Sequence, residues 1–381
     1  MLDYGFTEYQ TAIRDLAHEI AEKEIRPIAA EYDREAKFPW PAVKVMAETD
    51  LFRVYIEDEY GGISDGSPIM NMVIVTEELS KACGGIALAF AGTALGTLPI
   101  VLSGNEEQKK QWLPDIAAGK KLAAFALTEP QAGSDAGAVR TTALRDGDHY
   151  ILNGTKQWIT NGGEAEIYTV IALTNPSKGP RGASCIVVEK GTPGFTFGKK
   201  EDKLGIRASS TTELILDDVE VPEENVLGPV GQGYKIAIET LNEGRIGIGA
   251  QMIGVAGGAL RAATDYVKER AQFGKRLAEF QGIQFQLAQA RTELEAARLM
   301  VYNAARLKDA GQDIAMEGAM AKLFSAQVAE RVTSISLELF GGYGYTKDYP
   351  AEKFYRDAKI GAIYEGTSNM QLGTIAKGML K

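Results

Sequence analysis

The sequence predicts an α+β multidomain protein in which a helical domain, a small antiparallel β-domain (sandwich or barrel) and a helical bundle follow one another. Three observations predict it. Apolar residues recur at helical spacing through residues 1–120, six short runs rich in β-branched and aromatic residues occupy 121–230, and apolar positions step by three and four again through 231–381.

In the first domain, Thr7-Glu8-Tyr9-Gln10 is a capping-box pattern, and Ile13, Leu16, Ala17 and Ile20 continue behind it at helical spacing until Pro27. Further helices are predicted at 41–49, 68–82 and 106–118, with Pro41 in a first turn and Gly119 at a C-cap. Gly84 to Ile100 is dense in Gly and Ala and reads as a tightly packed buried helix, whose small side chains also leave room for a ligand's tail.

The β-runs are Leu122 to Leu127, Val139 to Leu144, Tyr150 to Leu152, Ile167 to Leu173, Ser184 to Glu189 and Thr212 to Leu216. Asp146-Gly147 and Asn153-Gly154 read as hairpin turns, because both dipeptides tolerate positive φ. Pro222 to Gly233 is the connection out. Beyond it, Leu287, Ala290, Leu294, Ala297, Val301 and Ala304 have the spacing of helices packed at a shallow angle.

Composition bounds the function. Of 381 residues, 45% are apolar and 24% charged, and the formal net charge of -10 argues against nucleic acid or an anionic membrane as partner. With two cysteines and two histidines, a disulfide framework is excluded and no Cys/His metal site is expected. Glu57-Asp58-Glu59 reads as a solvated turn. No basic leader with an apolar segment opens the sequence and no run of about 18 apolar residues is evident, so the expectation is a cytoplasmic protein without a spanning helix. A processed mitochondrial matrix protein would look the same. No strand leads into GxGxxG, which argues against a Rossmann site.

Three stretches carry chemistry. Phe125 to Asp135 and Trp158 to Gly163 each leave a strand for a loop. By themselves they are turns, yet an indole beside backbone amides and Thr/Ser hydroxyls suits a flat heteroaromatic ring and its polar tail. In Tyr364-Glu365-Gly366-Thr367-Ser368-Asn369 a lone carboxylate stands between an aromatic residue and a glycine, followed by small polar groups. Alone, Glu365 reads as a surface charge; with the upstream stretches it reads as a base with a cofactor beside it.

Five blocks occur in one order: Thr128-Glu129-Pro130-Gln131-Ala132-Gly133-Ser134-Asp135, Trp158-Ile159-Thr160-Asn161-Gly162, Glu269 to Lys275, Leu339 to Gly344, and Tyr364-Glu365-Gly366-Thr367. With them the whole chain resembles the acyl-CoA dehydrogenase family, in its short- and medium-chain, butyryl-CoA-oxidising form. The resemblance implies that the last domain is a four-helix bundle and that FAD is the cofactor. Phe125, Leu127, Thr128, Gly133, Ser134, Trp158, Ile159 and Thr160 would line the flavin. Arg270, Gln272, Phe273, Gln281, Glu338, Gly341 and Gly342 would meet its pyrophosphate and adenosine end across a subunit contact, and Thr367 and Asn369 would complete the site. It further implies a homotetramer (a dimer of dimers) that passes electrons to an electron-transferring flavoprotein.

The implied reaction is α,β-dehydrogenation of an acyl-CoA thioester, with Glu365 taking the α-proton and tuned towards neutral pH when an apolar acyl chain closes over it. Isovaleryl- and long-chain-type relatives carry the base at the position of Gly244 instead, so Glu365 is expected to act alone, with Arg245 orienting it. Ser134, Asn242, Arg245, Tyr364 and Gly366 would contact substrate. Glutaryl-type relatives use an arginine at the position of Ile86, so an uncharged acyl tail is expected, and Ala87, Ala91, Gly92 and Ala94 leave space for a short, branched or alicyclic one. A linear butyryl-like substrate is the first choice. The alternatives are a dehydrogenase of branched or alicyclic acyl-CoA, an enoyl-CoA reductase running in reverse, an acyl-CoA oxidase, and a non-catalytic acyl-CoA-binding protein.

Overall fold

The structure, a computed structural model, describes residues 4–380. The N-terminal helices are α1 (Glu8–Ile20), α2 (Ala29–Glu35), α3 (Trp40–Glu48), α4 (Pro68–Ala82), α5 (Gly84–Ser103) and α6 (Glu106–Ala117). The capping box at Thr7 and Gln10 forms with both reciprocal bonds, and Pro41 sits in the first turn of α3. A π-helical turn, Ala21–Ile25, extends α1 before Pro27.

The expectation that no segment is long and apolar enough to span a membrane needs correction. By length and composition, α5 and a later helix (Gly233–Glu269) both qualify, with mean hydropathies of 1.9 and 1.2. In the fold, 78% and 83% of those windows are buried inside the protein. They are core helices: α5 packs against the sheet on one side and the bundle on the other.

The middle of the chain forms β1 (Ala123–Ala126), β2 (Thr142–Asp146), β3 (His149–Thr160), β4 (Ile167–Leu173), β5 (Ala183–Glu189), β6 (Phe195–Lys200), β7 (Thr211–Pro222) and β8 (Val226–Leu227). They make one eight-stranded sheet in the order β6-β7-β3-β2-β4-β5-β8, with β1 beside β4. Most pairs are antiparallel as expected. The β1–β4 pair and the Thr142↔Leu173 contact are parallel, because the chain returns from β1 and β2 to β4 by crossovers rather than hairpins.

Asp146-Gly147 makes the predicted β2–β3 hairpin, with Asp146 opposite His149. Asn153-Gly154 does not turn the chain. It is a bulge inside β3, between Leu152 and Gly154 in the register with β7, and Gly154 has φ 150°. A Cβ there would lie 2.5 Å from Thr141 Oγ1, so the glycine serves a close strand approach. A second irregularity, between Lys156 and Ile159, leaves Trp158 at φ 62° and 59% exposed.

The last part contains α7 (Gly233–Glu269), a short hairpin of β9 (Ala271–Gln272) and β10 (Lys275–Arg276), α8 (Gln281–Asp309), α9 (Ala315–Leu339), α10 (Ala351–Ala358) and α11 (Ser368–Met379). Helices α7, α8, α9 and α11 form the bundle around α9, and α10 packs on it. Ala290, Leu294, Ala297, Val301 and Ala304 of α8 are buried, as their spacing predicts. Nearly all of the core is one continuous apolar cluster through helices and sheet, which fixes the end of β3 against α5 and α7.

Candidate active site

Glu365 sits in the link between α10 and α11, in a narrow cavity of about 40 Å³. Its walls come from four directions: Met72 of α4; Leu88, Ala91, Gly92, Leu95 and Leu98 of α5; Thr160 of β3; and Gly244, Gly247 and Ile248 of α7, with Tyr364 alongside. The small residues of α5 therefore serve both of their sequence readings. Ala91 and Gly92 line the cavity, whereas Ile86, Ala87 and Ala94 are fully buried among core residues and do not. The uncharged character expected at Ile86 holds for the wall as a whole, where Glu365 is the only ionisable acid.

Glu365 Oε2 is buried and has no hydrogen-bond partner. Burial pushes the carboxyl up to about 7, against the opposing fields of Lys322 and Arg245. The tuning expected from a closing acyl chain is thus already built into the protein wall. A Cβ on Gly244 would stand 3.1 Å from Glu365 Oε2 and 2.8 Å from Leu95 Cδ1, so the space that a side chain at 244 would need is taken by the Glu365 carboxyl.

Of the residues expected around Glu365, Tyr364 lines the cavity, and its hydroxyl donates to Gln251 Oε1. Arg245 is buried, donates to Asn242 Oδ1 at 2.8 Å, and leaves Nε without a partner. Asn242 is thereby tied to Arg245. The Gly366 carbonyl is taken up by two side chains, Lys322 Nζ at 2.7 Å and Gln371 Nε2 at 2.8 Å. Thr367 caps α11 through its hydroxyl, and Asn369 is exposed on the first turn of that helix. Lys322 and Gln371 carried no motif, and only their spatial return to the turn after Glu365 reveals them.

The predicted flavin residues fall into two groups. Phe125 is half-buried within β1, and Thr128 is bound to the second bulge of β3, where Gln157 N–H donates to its carbonyl at 2.8 Å. Leu127 and Ile159 are core side chains, at 6% and 3% exposure, so their contribution to a ligand is confined to backbone. Gly133 and Ser134 are exposed on the β1–β2 loop. Beneath this loop, a buried pair of Lys156 and Glu129 at 2.7 Å holds it, with Lys156 also donating to the Leu127 carbonyl at 3.0 Å.

The second group lines an open groove of about 790 Å³ that contains Arg270, Gln272, Glu338, Gly341 and Gly342, with Tyr266 and Tyr343. The Arg270 guanidinium lies over the Tyr343 ring at 5.6 Å. Phe273 and Gln281 do not line it: Phe273 stands 93% exposed at the tip of the β9–β10 hairpin, and Gln281 begins α8 in solvent. Within one chain these two are not joined to the rest.

The donor set fits FAD. An outward indole at Trp158, two residues before the cavity-lining Thr160, suits a flat ring, and a planar guanidinium with two open glycines suits a pyrophosphate. Among the described residues no group of three or more His, Cys, Asp or Glu is placed to hold a metal.

Three family models match in order: acyl-CoA dehydrogenase N-terminal domain at residues 7–120, middle domain at 124–219 and C-terminal domain at 231–380. The chain is 48% identical over 372 residues to a short-chain specific acyl-CoA dehydrogenase of Clostridium acetobutylicum, covering 97% of each. It is 47% identical over 382 residues to an acryloyl-CoA reductase (NADH) of Anaerotignum propionicum, covering 100% of this chain and 96% of that one. A chain in a solved structure of the electron transferring flavoprotein of Acidaminococcus fermentans superposes with TM-score 0.97 at 46% identity, over 100% of both. The chain belongs to the acyl-CoA dehydrogenase family of FAD-dependent oxidoreductases.

Proposed function

We propose that the protein dehydrogenates a short, uncharged acyl-CoA thioester between its α and β carbons, with Glu365 as the single base. The observation that carries this is the buried, unpartnered Oε2 of the half-buried Glu365, facing a small apolar cavity. A carboxyl at about 7 is far more basic than a free one yet still ionised in part at neutral pH, which suits proton removal from a weak carbon acid. The cavity walls exclude water from that proton transfer. Its size supports a short linear tail such as butyryl, in line with the short-chain relative.

FAD, when bound, would supply the hydride acceptor for the β-hydrogen. Phe125, Thr128, Ser134, Trp158 and Thr160 are the side chains that would hold its ring system, with backbone from Leu127, Gly133 and Ile159. Arg270, Gln272, Glu338, Gly341 and Gly342 are in place for a pyrophosphate and adenosine end. Phe273 and Gln281, exposed in one chain, would reach the cofactor of a neighbouring subunit in a homotetramer, and Thr367 and Asn369 at the start of α11 would complete the site. Arg245 and Asn242 steady the far side of the thioester pocket, and the Glu365 N–H is free to polarise the thioester oxygen. Electrons leave to an electron-transferring flavoprotein, which the A. fermentans structure supports as partner. The bacterial relatives support a cytoplasmic location.

A second reading is favoured by the acryloyl-CoA reductase relative: the same site in the reducing direction, with protonated Glu365 as acid. A carboxyl near 7 serves both directions. An anaerobic titration with butyryl-CoA in wild type and Glu365→Gln tests the proposal. The flavin band should bleach in wild type and persist in the variant although ligand binds. Bleaching only with branched or alicyclic acyl-CoA would overturn the substrate, and equal bleaching in the variant would overturn the base.

A further inference from the structure

Glu365 adopts φ 52° and Gly366 φ 85°, two left-handed residues in succession. For a glutamate this conformation is unfavourable and persists only where surrounding contacts impose it. Those contacts are specific. Gln371 folds back from the first turns of α11 and donates Nε2 to the Glu365 carbonyl at 3.1 Å and to the Gly366 carbonyl at 2.8 Å. Lys322 reaches out of α9 and donates to the same Gly366 carbonyl at 2.7 Å. Both side chains belong to residues that are 0% exposed. A Cβ at 366 would stand 2.7 Å from Gln371 Nε2, so the clamp closes only over glycine.

The lysine is the unexpected member. A fully buried ammonium is costly without a counter-charge, and the other lysine at 0% exposure, Lys156, has one in Glu129 at 2.7 Å. The Lys322 ammonium has a backbone carbonyl instead, one residue beyond a carboxylate that itself has no hydrogen-bond partner. A neutral donor, which Gln371 already provides, would hold the turn. What lysine adds is charge beside the base.

We propose that Lys322 and Gln371 are positioning residues that lock the Glu365-Gly366 turn with its carboxyl aimed into the cavity, and that Lys322 also supplies the positive field that keeps the carboxyl available as a base. This rests on the reading of Glu365 as the base. The charged groups facing Glu365 are Lys322 from α9 and Arg245 from α7. Tyr364 beside it is a neutral phenol bound to Gln251, Glu243 next to Gly244 is paired with Lys308 at 2.7 Å, and the walls from α4, α5 and β3 carry no charge. The direction follows: burial raises the Glu365 carboxyl and Lys322 opposes it, while burial lowers the Lys322 ammonium to about 8 with Glu365 opposing.

The test uses the holoenzyme as wild type, Lys322→Met, Lys322→Gln, Lys322→Arg and Gln371→Leu. The rate of flavin reduction by butyryl-CoA is followed against pH, with ligand affinity measured separately. Lys322→Met and Lys322→Gln should move the midpoint of the rate profile up by about 1 pH unit, the scale of one nearby opposite charge. Lys322→Arg should return it towards wild type, and Gln371→Leu should lower the plateau rate with little change in midpoint. A second readout needs no turnover: the gain in melting temperature from Glu365→Gln at pH 7.5, where the Glu365 carboxyl and the Lys322 ammonium are both mostly charged, should be larger in the Lys322→Met background than in wild type. Unmoved midpoints and an unchanged melting gain in folded variants would overturn the charge role. If Glu365→Gln itself leaves the rate intact, the base reading has failed; if it removes the rate while every Lys322 and Gln371 variant matches wild type, only this inference has.

Discussion

Two carboxylates in this protein, one fully buried and one half-buried, have opposite fates. Glu77 of α4 is 1% exposed and fully partnered: Arg298 Nε at 2.9 Å, Lys81 Nζ at 3.2 Å and the Tyr302 hydroxyl at 2.6 Å. Burial alone would raise it, but Arg298 and Lys81 with the Tyr302 bond hold it well below the ordinary carboxylate range. Glu365 is also enclosed, yet its nearest cations stop short of pairing, and burial wins. Burial therefore does not set the chemistry; partner geometry does. One carboxylate ties α4 to α8, and the other is kept basic by being denied a bond.

Removing each carboxylate should expose that contrast. Glu365→Gln is expected to slow flavin reduction by roughly 10²–10⁴-fold, the range for a general base, with the melting temperature at pH 4, where the wild-type carboxyl is protonated in both folded and unfolded chains, barely changed. Stopped-flow reduction and a thermal melt check both halves. Glu77→Ala leaves buried Arg298 with Glu295, at 2.6 Å, in place of two carboxylates and should cost about 3 kcal/mol in stability, measured by denaturant unfolding, while the rate per folded molecule is kept.

The pH dependence of stability sharpens the comparison. The folded Glu365 carboxyl, near 7, lies above its unfolded value of 4.5, so the folded state binds the extra proton between them. Stability from this group is fully present below about pH 4.5 and is lost as pH rises to 7. Glu365→Gln should therefore become more stable than wild type as pH rises above about 4.5, the difference levelling off near pH 7 at ~3 kcal/mol or less. Glu77, shifted the other way, contributes stability above its unfolded value that is lost only as acid protonates it. Melting curves at pH 5 and pH 8 for Glu365→Gln and Glu77→Gln should move in opposite senses relative to wild type.

What could be read from the sequence was what local chemistry decides. The Thr7 capping box, the Asp146-Gly147 hairpin and the buried stripe of α8 depend on neighbours a few residues away, and all formed. Asn153-Gly154 has the same turn chemistry, but β3 continues through it because pairing with β7 on one side and the approach of Thr141 on the other outweigh the turn. The α5 segment satisfies a membrane criterion that its burial against sheet and bundle makes irrelevant. Around the site, Glu365 and Trp158 announced themselves in motifs, whereas Lys322 sits on a helix face otherwise made of Gly318, Ala319, Ala321, Ser325 and Ala326. Nothing in that face reports a turn more than one element away in the chain.

The central claim is that Glu365 works as a base because its carboxyl has a buried oxygen that is left unbonded. The most direct test is the pH dependence of single-turnover flavin reduction by butyryl-CoA. The account predicts a rate that rises with pH through a midpoint near 7 and loses that midpoint in Glu365→Gln. A midpoint at the free-carboxyl value near 4.5, or one near 7 that survives in Glu365→Gln, would contradict it.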